Sequence, residues 1–93
     1  MMAQPYRPPV LDHRELVVHE LSPLRLADLI ITLHLSVRRS EDGAFRGRLR
    51  FQHPGGRGSE TAEIFCGITE EELWQSVRGL REHHVRALYL SLV

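Results

Sequence analysis

Between Arg46 and Phe51 three arginines alternate with residues of a different kind, in the order Arg-Gly-Arg-Leu-Arg-Phe. At a strand's period of two, Arg46, Arg48 and Arg50 share one face and Gly47, Leu49 and Phe51 the other. Guanidinium groups spaced along a strand can hold phosphates, and aromatic rings among them can stack bases, as in single-strand binders. His34, Phe65 and Tyr89 are the side chains expected to join the arginines on an open sheet face. These six form the candidate set for binding nucleic acid or a protein partner. Two other readings compete with base stacking: an ordinary solvated face whose arginines pair with Glu63, and a dimer interface centred on Phe65.

Other chemistries find less support. Pro54-Gly-Gly-Arg-Gly-Ser59 resembles a phosphate loop in composition, but the chain has no lysine and the segment leads into a strand rather than a helix. Six histidines are many for this length, yet no His-x-x-x-His or Glu-x-x-His occurs, so no metal site is expected. His83 and His84 fall at a predicted helix end, where the dipole accounts for them. No serine sits in Gly-x-Ser-x-Gly. Glu70, Glu71 and Glu72 are accounted for by helix capping. No catalytic residue, cofactor or enzymatic activity is expected.

The composition sets further bounds. At 93 residues the chain makes one domain with a modest core, which a second subunit would help to stabilise. Cys66 is the only cysteine, which excludes an internal disulfide and a cysteine zinc cage. It is expected on the inward side of a strand, as a small hydrophobe. The formal charge is zero but unevenly spread. Six arginines lie between Val37 and Arg57, and five glutamates with no base between Gly58 and Val77. Such a chain is dipolar rather than basic, which argues against tight non-specific binding to nucleic acid. All twelve cations are arginine, as GC-rich coding would produce. No apolar run approaches the roughly 20 residues of a membrane helix, and the N-terminus lacks a signal peptide's apolar core, so a cytoplasmic protein is expected.

The elements that position these residues follow from periodicity and punctuation. Residues 1–10, with Pro5, Pro8 and Pro9, read as a flexible proline-rich arm, and residues 11–93 as a single domain. Asp12 and Glu15 suggest a capping box opening a short helix through about Leu21, although Leu16-Val-Val18 also fits a strand. Ser22-Pro23 resembles a further helix start. Leu29 to Arg38 alternates as a half-buried strand, and either a three-residue loop with Gly43 in the left-handed region or a five-residue loop leads into the arginine strand. A third strand is expected from Glu60 to Gly67. With His53 facing Glu60, Arg50 meets Glu63, Arg48 meets Phe65, and Cys66 points inward. Thr69, with Glu72 as box partner and Ile68 stapling to Leu73, caps a helix running to about His83. Val85 to Val93 reads as a last strand at a sheet edge, open to strand addition.

The sequence therefore predicts an α+β fold, a small mainly antiparallel sheet in the order α-β-β-β-α-β, with one amphipathic helix covering one face. The function expected is a non-catalytic protein–protein interaction or assembly domain, a homodimer. The alternative is a single-stranded nucleic-acid-binding module that uses the arginine and aromatic face.

Overall fold

An eleven-residue strand, Leu29–Arg39, alternates apolar and polar side chains and stands between two antiparallel neighbours. The computed structural model describes residues 16–93. The arm expected over residues 1–10 and the helix start at Asp12 and Glu15 lie outside the described residues. In chain order the strands are β1 (Val17–Leu26), β2 (Leu29–Arg39), β3 (Phe45–Gln52), β4 (Gly58–Glu60) and β5 (Phe65–Gly67), followed by α1 (Glu70–Arg78) and α2 (Glu82–Leu92). The sheet runs β1-β2-β3-β4, with β5 also paired to β3, and every pairing is antiparallel. The fold is α+β, but the expected order is corrected: among the described residues both helices follow all the strands.

The β2–β3 register sets Leu33 against Phe51, Leu35 against Leu49 and Val37 against Gly47. Apolar thus meets apolar on one face, as parity required. The Ser40 amide donates to the Ala44 carbonyl at 2.8 Å, closing the turn, and Gly43 takes φ +88° within it. That left-handed conformation suits a residue without Cβ. Ile31, Leu35, Val37, Leu49 and Phe51 are all but fully buried, and each such side chain contributes on the order of 1.5–3 kcal/mol.

Three assignments are overturned. First, residues 17–26 are strand rather than helix. A two-residue loop, Ala27-Asp28, folds β1 back on β2, and pairing with that long strand outweighs local capping signals. Ser22 and Pro23 form a bulge between Leu21 and Leu24 instead of a helix start. An edge strand tolerates proline there because the missing N–H is not needed by the ladder.

Second, the expected third strand is broken. β4 sets Ser59 opposite Phe51, β5 sets Phe65 opposite Gly47, and residues 61–64 leave the ladder between them. The side chain of Thr61 bridges the gap. Its hydroxyl oxygen accepts from the Leu49 amide at 3.0 Å and its hydroxyl donates to the Ala62 carbonyl at 2.6 Å, while its own amide donates to the Leu49 carbonyl at 2.9 Å. Phe65 points inward and Cys66 is exposed, the reverse of the sequence expectation, because the turn after β3 sets Ser59 rather than Ala62 opposite Phe51 and the two-residue shift of β5 keeps that face.

Third, the segment expected as a strand from Val85 to Val93 is helix through Leu92. The segment Ala87-Leu-Tyr-Leu-Ser-Leu92 is rich in good helix formers and holds no β-branched residue. The earlier helix, expected to reach His83, stops at Gly79. After it, the Arg81 amide donates to Nδ1 of His84 at 3.2 Å and starts α2. The Thr69 cap forms as expected, with Glu72 donating its amide to the Thr69 hydroxyl, but the Glu72 carboxylate accepts from the Ile68 amide rather than from that of Thr69, so the reciprocal half of the box is displaced by one residue. Ile68 remains 77% exposed rather than closing a staple on Leu73.

Both helices pack on the inner face of the sheet. Leu73 of α1 is fully buried, with Trp74 and Val77 beside the core. The Trp74 ring meets the His19 ring of β1 edge-on at 4.9 Å. Gly67 lets α1 approach: a Cβ there would lie 2.5 Å from the Leu73 amide nitrogen. From α2, Tyr89 packs its ring 5.4 Å from that of Phe51 and shares a 2.7 Å hydrogen bond between its hydroxyl and Nε2 of His53.

Ala27 has φ +55°, a conformation that opposes an L side chain by roughly 1–2 kcal/mol. Ala27→Gly is therefore expected to raise stability in urea unfolding by about 0.5–1 kcal/mol with an unchanged slope, after allowing for glycine's greater unfolded-state entropy.

Candidate interaction surfaces

The outer face of the sheet carries the arginine row. The paired registers place Glu20, His34, Arg50 and Glu60 in one line across four strands. Ser36 faces Arg48, and Arg38 faces Arg46, which faces Cys66 in turn. His34 therefore does lie beside the arginines, between Glu20 and Arg50. Phe65 and Tyr89 do not. At 4% and 3% exposure they belong to the core, on the opposite side of the sheet.

Most of the arginines are engaged by carboxylates. Glu63 accepts from Arg38 through both oxygens, at 2.5 Å from Nε and 2.7 Å from Nη2, and lies 3.7 Å from Arg48. Sequence parity assigned Glu63 to Arg50, but the excursion at residues 61–64 carries it to Arg38 and Arg48. Two parallel N–H···O bonds are the strongest form of this contact. Arg46 reaches Asp42 at 3.0 Å. Arg50 lies across the backbone of Gly58, where a Cβ would come 3.1 Å from its guanidinium, and its strand partner is Glu60. Glu20, Asp42, Glu60 and Glu63 thus accompany Arg38, Arg46, Arg48 and Arg50, and the face is close to electrically balanced.

The carboxylates respond to these surroundings. Hydrogen bonds from Arg38 hold Glu63 below the usual glutamate range, with the charges of Arg38 and Arg48 adding to the effect against partial burial. Asp42 is drawn down to about 2, first by the Ser40 hydroxyl, then by the Ala44 amide and Arg46. Asp42 thereby ties the turn to the first arginine of the row. Among the described residues no group of three or more His, Cys, Asp or Glu side chains could hold a metal ion. No described helix is long and apolar enough to cross a membrane.

A second surface lies on the helical side, and the sequence reading missed it. His83, His84, Ala87, Leu90 and Ser91 of α2 are all exposed. They follow the spacing i, i+1, i+4, i+7, i+8, which gathers them into one stripe facing away from the core. None carries a carboxylate, ammonium or guanidinium. The charged pair of this helix, Glu82 and Arg86, meets at 3.3 Å and lies roughly 100° or more around the axis from the stripe's centre. Along one flank runs an apolar groove of about 470 Å³ lined by Ile64, Leu80, His84, Ala87, Leu88 and Ser91. The signal was present in the sequence, since no charged residue follows Arg86. Read as a strand, however, the same residues alternate and the stripe disappears.

Comparison with models of protein families, with curated proteins and with solved structures finds no match to this chain.

Because Glu63 and Asp42 are held lower in the folded chain than in the unfolded one, their stabilising contribution is complete above the unfolded values, near 4.5 and 3.8. It is lost as pH falls through the folded values. Stability should decline as pH drops from about 4.5 toward 2. Glu63→Gln should lower the thermal midpoint at pH 7 and leave it little changed at the acid end. Equal losses at both ends would show that the ion pair contributes nothing.

Proposed function

We propose that this chain is a non-catalytic assembly domain that forms a homodimer through its helical side. The observation that carries the reading is the uncharged exposed stripe of α2. Leu90 on that stripe is 52% exposed, and Ile64 on the far wall of the groove is 44% exposed. A helix with apolar side chains on its solvent side as well as its core side is characteristic of one that is covered. The zero formal charge of the chain removes long-range repulsion between copies. The shallow, open surfaces sit better with binding than with catalysis.

The alternative, a single-stranded nucleic-acid-binding module, now draws on Arg46, Arg48, Arg50 and His34 alone. Among the described residues the outer face, without Phe65 and Tyr89, offers no aromatic platform, and its carboxylates offset the arginines.

Sedimentation equilibrium at micromolar concentration is expected to return twice the 10.7 kDa chain mass. Leu90→Glu should weaken association at least tenfold, about 1.4 kcal/mol, with the far-UV circular dichroism retained. A monomer at every concentration would overturn the assembly reading. In a separate measurement, the anisotropy of a labelled mixed-sequence single strand should stay flat at physiological salt. Saturable binding that falls with salt and with Arg50→Ala would restore the alternative.

A further inference from the structure

We draw no further inference here: the strongest candidate, the edge of β1 left open among the described residues beside the exposed side chains of Leu16 and Val18, is interrupted by the bulge at Ser22 and Pro23, and nothing in the structure shows what covers it.

Discussion

One side-chain hydrogen bond decides how the last part of the sheet is laid down. In a regular ladder the Leu49 amide would find a backbone carbonyl on the neighbouring strand. It finds the hydroxyl of Thr61 instead, in a residue that is only 6% exposed. With that donor satisfied, the chain can leave the ladder for residues 61–64 without abandoning a buried N–H, whose desolvation would be unfavourable by about 1–3 kcal/mol. It rejoins β3 two residues out of step. Everything downstream inherits this shift: Phe65 comes opposite Gly47 and Gly67 opposite Phe45, where α1 can close on the sheet.

The same shift shapes the outer face. Glu63 comes off the ladder within reach of Arg38 on β2 and Arg48 on β3, linking side chains from two strands and the connecting segment. The row of like charges is thus spaced by acids from each neighbour: Asp42 from the turn, Glu63 from the excursion, Glu60 from β4. Cross-strand arginines such as Arg38 and Arg46 would otherwise repel directly. What looks in the sequence like a cationic platform is, in the folded chain, a mixed-charge surface of the kind that keeps a one-sided sheet in water.

With the outer face neutralised by its own residues, interest moves to the helices. α1 is seated by small residues, Gly47 and Gly67, that let Leu73 reach the sheet. α2 is joined to the sheet chiefly through Tyr89, which touches Phe51 and His53, and it leaves its other side bare of charge. The two helices differ in this respect. α1 opens with three glutamates and ends with an arginine, whereas α2 past Arg86 has no charge to hold a face in solvent.

Local rules were enough wherever a signal was repeated or closed on itself. The alternation of Leu29 to Arg38, the Gly43 turn, the inward set Gly47, Leu49 and Phe51, and the Thr69 cap could all be read in the chain, because each depends on neighbours in sequence or on parity across one short turn. Tertiary structure decided the rest. Residues 17–26 became strand because β2 offered a long partner, which no capping signal could reveal. Val85 to Val93 fits both periods over so short a run, and only a place on the sheet's inner face, with Tyr89 against Phe51, selected helix. The register beyond Glu60 depended on a single threonine replacing a backbone bond. A strand's side chains change face with every one-residue slip, and the turn after β3, which sets Ser59 rather than Ala62 opposite Phe51, put Phe65 on the side away from the arginines.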